Sequence, residues 1–264
     1  MQLPDSTIAD LLLSYGEVPL CNDAAAPRLP SKSEVGELCR ELLRIIFPGR
    51  LSGSLINEDE SRRRFAEAAN SLEFQIARSL SVSGSPKSSA AVLAEEFFAG
   101  LPGIREIIAT DLEAAFEGDP AARSIGEILL SYPCVDAVTI QRLAHSLYTA
   151  GIQLLPRMMT EWAHERTGID IHPGATIGRH LFIDHGFTVI GETADIGNNV
   201  TIYQCVTLGG TNPANGVGGK RHPTLLDNVI VGSGAQILGP ITVGQRARVG
   251  ANAVVTEDVP EGAT

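Results

Sequence analysis

The chain has 264 residues, of which 44% are hydrophobic, and a formal net charge of −11 at pH 7. An acidic surface of this kind repels phosphate backbones and anionic lipids, which argues against nucleic acid and membrane surfaces as partners. The four cysteines are scattered without a CxxC pair, and no apolar run approaches the roughly 20 residues of a membrane span. No secretory signal opens the chain, and the three observations together predict a cytoplasmic location.

Up to about residue 168 the apolar residues follow the helical period. An apolar stripe running from Val35 to Ile45 predicts one helix. Further helices are predicted over about 57–80, 90–99, 103–117, 123–131, 134–149 and 152–167. Proline-containing turns and the polar segments 16–32 and 81–89 separate several of them. We therefore expect an all-α N-terminal domain over residues 1–168.

From Ile171 onwards the period changes to six residues, and an aliphatic side chain recurs thirteen times: Ile171, Ile177, Ile183, Ile190, Ile196, Ile202, Leu208, Leu225, Val231, Ile237, Val243, Val249 and Val255. A six-residue period indicates a solenoid of three-sided coils, in which each hexad forms a short strand and its aliphatic residue points inward. Glycine follows many of these residues, and we expect it to supply open backbone angles at the corners.

The period breaks between Leu208 and Leu225 for sixteen residues. Such a segment does not fit inside a narrow prism, so a loop over residues 209–224 is predicted to project from a corner. It ends in Lys220-Arg221-His222, a basic cluster in an acidic protein. Cations on such a loop suit a carboxylate or phosphate ligand, and a tolerated surface insertion is the alternative.

His185 is the candidate general base, and it lies in the run Phe182-Ile-Asp-His-Gly. An acceptor hydroxyl needs a neutral imidazole as base, and a carboxylate beside the imidazole fixes its tautomer. Asp170 lies fifteen residues earlier, where one coil takes eighteen, so the spacing permits the two to meet near a corner. Asp184 adjoins His185, and neighbours on a strand point apart, so Asp184 is a better candidate for holding substrate.

The hexads resemble the left-handed parallel β-helix of the hexapeptide-repeat acyltransferases, and a set of short runs resembles bacterial and plant serine acetyltransferases over about residues 105–264. These runs are Asp119-Pro-Ala, Asp170-Ile-His-Pro-Gly-Ala-Thr-Ile-Gly, Ile183-Asp-His-Gly, Ile190-Gly-Glu-Thr-Ala, Val206-Thr-Leu-Gly-Gly-Thr and Arg221-His-Pro. The resemblance implies an α+β protein with an all-α domain followed by a left-handed β-helix over residues 169–264. It also implies a homotrimer with clefts between neighbouring prisms as active sites, or a dimer of trimers.

The resemblance implies that His185, partnered by Asp170, takes the proton from the L-serine hydroxyl, which attacks acetyl-CoA directly to give O-acetyl-L-serine and CoA for cysteine biosynthesis. Four residues are implied to bind serine, the acids its ammonium group and the cations its carboxylate: Asp119, Asp184, Arg221 and His222. Six are implied to contact CoA, the last through a phosphate: Gly210, Thr211, Ser233, Gly234, Ala251 and Arg248. Acetyl-CoA is thus the expected co-substrate, no metal is expected, and L-cysteine is a possible feedback inhibitor.

Three alternatives remain open on the residues. The first is a hexapeptide acetyltransferase for another small acceptor, such as homoserine or an amino sugar. The second is a zinc-dependent hydratase that uses His180, His185 and His222 as ligands, and the third is a non-catalytic scaffold. Five residues follow His185 before the Gly-Glu-Thr-Ala run, where the family commonly has six. The chain ends at Pro260-Glu-Gly-Ala-Thr, without the tail that docks family members on the sulfhydrylase, so that complex is not expected.

Overall fold

The structure is a computed structural model that describes residues 4–17, 29–50, 53, 57–83, 89–211 and 219–264. Its helices are α1 (Asp5–Glu17), α2 (Lys32–Ile46), α3 (Glu58–Ser83), α4 (Ala90–Gly118), α5 (Ile125–Ser131), α6 (Pro133–Thr149) and α7 (Leu154–Thr167). Within these ranges, none of the helices combines the length and the apolar character that crossing a bilayer requires.

Thirteen short strands follow the helices. They are β1 (Asp170–Ile171), β2 (Thr176–Ile177), β3 (Phe182–Ile183), β4 (Val189–Ile190), β5 (Asp195–Ile196), β6 (Thr201–Ile202), β7 (Thr207–Gly209), β8 (Thr224–Leu225), β9 (Ile230–Val231), β10 (Gln236–Leu238), β11 (Thr242–Val243), β12 (Arg248–Val249) and β13 (Val254–Val255).

The helix predictions need three corrections. Helix α1 was not predicted, and α3 continues to Ser83, so it enters the expected polar segment, whose residues 84–88 lie outside the described ranges. The two helices expected on either side of Pro102 form the single helix α4. Proline removes one helical hydrogen bond, but Leu101 and Ile108 are buried in the core, so packing keeps α4 continuous.

Helix α6 joins the helical part to the strands. Most of its residues are buried, and two of them are polar side chains that reach backbone carbonyls of the first coil. Gln141 Nε2 donates to the carbonyl of Ala175 at 2.9 Å, and Arg142 donates to the carbonyl of Gly178 at 2.8 Å. The same guanidinium pairs with Asp111 of α4 at 2.6 Å. Because each buried polar group is satisfied, these contacts anchor α4 and α6 on the first coil.

The strands form three parallel sheets, which we call faces A, B and C. Face A has the order β1-β4-β7-β10-β13, face B the order β2-β5-β8-β11, and face C the order β3-β6-β9-β12. The chain passes from A to B to C and back to A, so three successive strands complete one coil. Asp170 pairs with Val189, nineteen positions later, whereas Val189 pairs with Thr207, eighteen positions later. The extra residue of the first coil therefore lies before Val189.

All thirteen aliphatic positions predicted from the hexads lie in the thirteen strands, one in each. The small residues two positions earlier fill the corners of the interior, and many of them are fully buried: Ala175, Val200, Val206, Val229, Ala235 and Ala247. The hexad prediction is confirmed, and the architecture is the predicted one, an all-α part followed by a left-handed parallel β-helix. The division into two domains at residue 168 stays a prediction.

The expected reason for the recurring glycines is wrong. The left-handed backbone conformation falls on other corner residues: His180, His185, Phe187, Asn199, Cys205, Asn228, Arg246 and Asn252. Most of the glycines that follow the strands instead permit close approach between coils. A Cβ added to Gly232 would lie 2.6 Å from the backbone nitrogen of Ala251, and one on Gly178 would lie 2.7 Å from the carbonyl carbon of Gly197.

Candidate active site

The polar residues of interest lie where two faces of the β-helix meet. Faces C and A meet along the His185 edge, which consists of residues 184–188, 203–206, 232–235 and 250–253. Faces A and B meet along the Arg221 edge, which consists of residues 172–175, 191–194, 210–211, 219–223 and 239–241. Residues 212–218 of the predicted projecting loop lie outside the described ranges. Both edges border face A, which lies between them.

His185 lies on a corner, because β3 ends at Ile183. Its φ is 59° and its side chain is 73% exposed. Its Nε2 lies 3.6 Å from Oδ2 of Asp184, so these two side chains approach each other. The expectation that they point apart is wrong, because it assumed extended backbone where the chain turns in the left-handed conformation.

Asp119 belongs to the same edge through the helical part. It caps α4, accepts a hydrogen bond from the hydroxyl of Tyr132, and accepts another from the backbone of Ala121 at 2.8 Å. The Tyr132 bond is the main cause that lowers the pKa of Asp119, and His185 adds to it. The same bond raises the pKa of Tyr132 to about 12. Asp119, Asp184 and His185 thus form one acidic cluster around an imidazole.

Asp170 lies in β1 on face A and has a different partner from the expected one. Arg157 of α7 donates to Oδ1 of Asp170 at 3.3 Å. Among the described residues, no hydrogen bond or ion pair joins Asp170 to His185, whose imidazole faces Asp184 instead. The pairing of Asp170 with His185 stays a prediction.

Arg221 is held by Glu192, which Tyr148 holds in turn. Its guanidinium donates to Oε2 of Glu192, and the hydroxyl of Tyr148 in α6 donates to Oε1 of the same carboxylate at 2.8 Å. The bond from Arg221 is the main cause that lowers the pKa of Glu192, and the bond from Tyr148 adds to it. The Tyr148 ring also packs edge-on against His172, with ring centroids 5.7 Å apart. The helical part therefore contributes a residue to this edge as well.

His222 lies over the backbone of the preceding coil. A Cβ on Gly191 would lie 2.1 Å from Cδ2 of the imidazole, so only glycine leaves room for the ring. Burial lowers the pKa of His222, and the positive charges of Arg221 and Lys220 lower it further. Lys220 itself is occupied, because its Nζ lies 2.6 Å from Oδ2 of Asp195. Burial and the neighbouring cations therefore favour the neutral imidazole of His222.

The other predicted ligand sets are divided among different parts of the prism. Of the six residues expected to contact CoA, Gly210 and Thr211 lie on the Arg221 edge, Arg248 begins β12 on face C, and the remaining three lie on the His185 edge: Ser233, Gly234 and Ala251. The three histidines of the zinc alternative lie on three different edges, so one chain does not assemble that ligand set: His180, His185 and His222.

Sequence reasoning assigned no role to the residues that support the site. Glu192 and Thr193 lie in the Gly-Glu-Thr-Ala run, and the available signal was that this run carries the resemblance together with the Arg221-His-Pro run. Tyr132 and Tyr148 come from the helical part, where no pattern in the sequence indicates which tyrosine faces the β-helix.

Comparison with known proteins first defines the class. Residues 222–257 match the family model described as "Bacterial transferase hexapeptide (six repeats)", and residues 56–139 match the one described as "Serine acetyltransferase, N-terminal". The β-helix is thus that of a hexapeptide-repeat acyltransferase.

Curated relatives give the particular family. The chain is 40% identical over 256 residues to the plasmid serine acetyltransferase of Synechococcus elongatus, a match that covers 89% of this chain and 80% of the relative. It is 50% identical over 155 residues to the serine acetyltransferase of Bacillus subtilis, covering 58% of this chain and 70% of the relative. The chain belongs to the serine acetyltransferase family and is an enzyme of the acyltransferase class.

Solved structures agree with this assignment. Serine acetyltransferase 1 of Entamoeba histolytica, in complex with L-cysteine, superposes with a TM-score of 0.75 at 38% identity and covers 86% of this chain and 84% of its own. The serine acetyltransferase of Neisseria gonorrhoeae, in complex with serine, superposes with a TM-score of 0.60 at 30% identity and covers 86% of this chain and 93% of its own.

Proposed function

We propose that this enzyme transfers the acetyl group of acetyl-CoA to the hydroxyl of L-serine, giving O-acetyl-L-serine and CoA in cysteine biosynthesis. One observation carries the proposal beyond family membership. The chain presents an acidic station with an imidazole on the His185 edge and a cationic station on the Arg221 edge. An amino acid needs both stations, because its ammonium and carboxylate groups carry opposite charges.

His185 acts as the general base in this proposal. It takes the proton from the serine hydroxyl while the oxygen attacks the thioester carbonyl; the new C–O bond forms and the C–S bond breaks. The departing thiolate takes the proton from the imidazolium and leaves as CoA, which restores the neutral base. The exposed imidazole is accessible to both substrates. Asp170 remains the proposed partner carboxylate. To reach it, the imidazole must turn away from Asp184, and Asp170 must then interact with His185 as well as with Arg157.

Asp119 and Asp184 receive the serine ammonium group, while Arg221 and His222 receive its carboxylate. Because these stations lie on opposite borders of face A, one serine molecule is bound between two copies of the chain. Apolar side chains exposed on or beside face A favour such contact, namely Phe187 (75% exposed), Val189 (40%) and Val254 (68%). Burying them between copies is favourable, which supports a homotrimer or a dimer of trimers.

CoA lies along the edges in this arrangement. On the His185 edge of one copy lie Ser233, Gly234 and Ala251, and on the Arg221 edge of the next copy lie Gly210 and Thr211. A groove shared between the two copies would bring these residues together, and Arg248 would contact a phosphate of CoA. Because L-cysteine has the same ammonium and carboxylate groups as serine, we also propose that it competes with serine. The crystallised complex of the Entamoeba relative with L-cysteine supports this. The cytoplasmic location stays a prediction.

An acceptor panel tests the reaction. Purified enzyme and acetyl-CoA are mixed with L-serine, L-homoserine, L-threonine or glucosamine, and release of the CoA thiol is followed. We expect L-serine to be preferred by about 100-fold or more in kcat/KM, since homoserine adds a methylene, threonine adds a methyl group and glucosamine lacks a carboxylate. Preference for homoserine or the amino sugar would establish the alternative transferase, and no thiol release with any acceptor would favour a non-catalytic scaffold.

A subunit-mixing experiment tests the shared site. His185→Ala and Arg221→Ala chains, each carrying its own tag, are co-expressed, and assemblies that contain both tags are isolated. A trimer that contains both chains has one of its three interfaces with both residues intact, so about a third of wild-type activity is expected to return. Assemblies of either chain with the double variant provide the control and should stay inactive. Absence of restored activity in verified mixed assemblies would place the whole site within one chain.

A further inference from the structure

Thr193 lies on the Arg221 edge, immediately after Glu192, and its hydroxyl is surrounded by three groups of Arg221 and His222. The oxygen Oγ1 accepts the backbone N–H of Arg221 at 2.9 Å and the backbone N–H of His222 at 3.1 Å. It also lies 2.9 Å from Nδ1 of the His222 imidazole. A hydroxyl has two acceptor lone pairs and one hydrogen to donate. Since two backbone donors occupy the lone pairs, the hydroxyl hydrogen points to Nδ1.

A second donor faces the same ring nitrogen. The backbone N–H of Thr193 points to Nδ1 of His222 at 3.1 Å. A ring nitrogen that accepts hydrogen bonds carries no hydrogen of its own, so the hydrogen of the neutral imidazole lies on Nε2. Among the described residues, Nε2 of His222 has no hydrogen-bond partner.

We propose that Thr193 is a positioning residue that holds His222 as the neutral tautomer with its hydrogen on Nε2, so that this N–H is the donor offered to the substrate carboxylate. The identity of that carboxylate rests on the proposed function, whereas the tautomer does not. The opposite tautomer would present a lone pair to the carboxylate and repel it. Thr193 therefore determines whether His222 attracts or repels the substrate.

The surroundings of the ring agree with a neutral imidazole. Gly191 leaves space for the ring directly above the preceding coil, and a flip of the ring would carry Nδ1 away from both donors of Thr193. The charged and titratable groups that act on the ring come from its own loop and from two neighbouring corners: Lys220, Arg221, Glu192 and His172. The two cations disfavour a third positive charge at this place.

The main experiment compares Thr193→Val, which keeps the shape and removes the hydroxyl, with Thr193→Ser, which keeps the hydroxyl. Long-range ¹H–¹⁵N spectra of the full chain labelled with ¹⁵N-histidine report the tautomer, and His222→Gln assigns the signal. Wild type and Thr193→Ser are expected to show a single tautomer with the hydrogen on Nε2. Thr193→Val is expected to lose this single pattern, because Nδ1 keeps only one of its two donors.

Kinetics provide the second readout. Thr193→Val is expected to raise the KM for L-serine about tenfold, the effect of losing roughly one hydrogen bond, while kcat and the KM for acetyl-CoA change by less than about twofold. Thr193→Ser restores the serine KM. Thr201→Val is the matched control, since it removes a hydroxyl from face C, and its spectra and kinetics should equal those of wild type.

Two results would overturn the proposal. One is a wild-type spectrum with the hydrogen on Nδ1, which is decisive even if Thr193→Val does not fold. The other is a folded Thr193→Val chain with an unchanged tautomer and an unchanged serine KM. If L-serine is not acetylated at all, the proposed function fails, and the spectra still decide the tautomer.

Discussion

The two edges that border face A differ in how completely one chain builds them. On the Arg221 edge, the guanidinium is 27% exposed and is held by Glu192, which Tyr148 holds in turn. On the His185 edge, the imidazole is 73% exposed, and its one close charged neighbour is Asp184 at 3.6 Å among the residues described. The proposed carboxylate receptor is therefore preorganised in the single chain, whereas the imidazole proposed as the base is less restrained.

The difference follows from the position of each edge in the stack of coils. Arg221 and His222 pack on residues of the preceding coil, which supplies Glu192 and Thr193 directly beneath them. His185 follows β3, the first strand of face C, so no earlier coil lies beside it. Helix α4 takes that place, and Gly118 lets the Phe182 ring approach, since a Cβ there would lie 2.6 Å from Cδ1 of the ring. A stacked coil orients side chains more completely than a helix end does.

The largest effect is expected on the His185 edge. His185→Ala should lower the rate of acetyl transfer to L-serine about 1000-fold, because loss of a general base typically costs 10²–10⁴ in rate. CoA release at saturating substrates measures it. His180→Ala is the matched control, since His180 has nearly the same left-handed φ of 61° but lies on the third edge, beside Glu117. An undiminished rate in His185→Ala would remove this imidazole from the mechanism.

A second experiment tests the preorganisation of the Arg221 edge. Gly191→Ala should displace the His222 ring, which lies 2.1 Å from the added Cβ position, and raise the serine KM about tenfold or more. Gly250→Ala is the control on the opposite edge, because nothing lies within 4 Å of its added Cβ. Steady-state kinetics at varied serine concentration distinguish the two variants. Equal serine KM values in both would show that the ring position does not matter for binding.

The pH dependence of the free energy of unfolding is expected to come from the Arg221 edge, because His172 and His222 both lie there. Burial is the main cause that lowers the pKa of both His172 and His222, from the ordinary value of 6.5. Between that value and the lowered one, the unfolded chain binds more protons than the folded chain, so stability falls as the pH falls below about 6.5. Thermal unfolding midpoints at pH 7.5 and 5.5 measure the change. His222→Gln should reduce the difference between the two midpoints. An unchanged difference in that variant would contradict a contribution of His222 to the pH dependence.

The smallest expected effect lies inside the His185 edge. Thr188 is fully buried, and its hydroxyl has no hydrogen-bond partner among the residues that the structure describes. Thr188→Val keeps the shape and removes the unsatisfied polar group, so it should raise the free energy of unfolding by about 1 kcal/mol. Chemical denaturation measures it, with Thr201→Val as the control on an outward-facing position. A destabilised Thr188→Val would indicate that the hydroxyl has a partner in the folded protein.

Local repetition made the fold predictable from the sequence. Eleven of the thirteen hexads bury their aliphatic side chain and the other two, Ile177 and Val255, half-bury it, so the period alone identified all thirteen strands. The helices were found where an apolar stripe was clear, and α4 was divided wrongly because the effect of Pro102 depends on packing around Leu101 and Ile108. The motifs likewise identified the family, since short runs of residues suffice for that.

The tertiary structure alone decided which side chains meet. Asp184 approaches His185 because a corner residue adopts a left-handed φ, and Tyr148 reaches Glu192 because α6 docks on the first coil. The first contact joins sequence neighbours and depends on a backbone conformation at a corner, whereas the second joins residues 44 positions apart and depends on how a helix packs on the coils. The sequence by itself determined the strands, the corners and the residue types at each edge; the stacking of coils and helices determined that Glu192 holds Arg221 while His185 stays largely exposed.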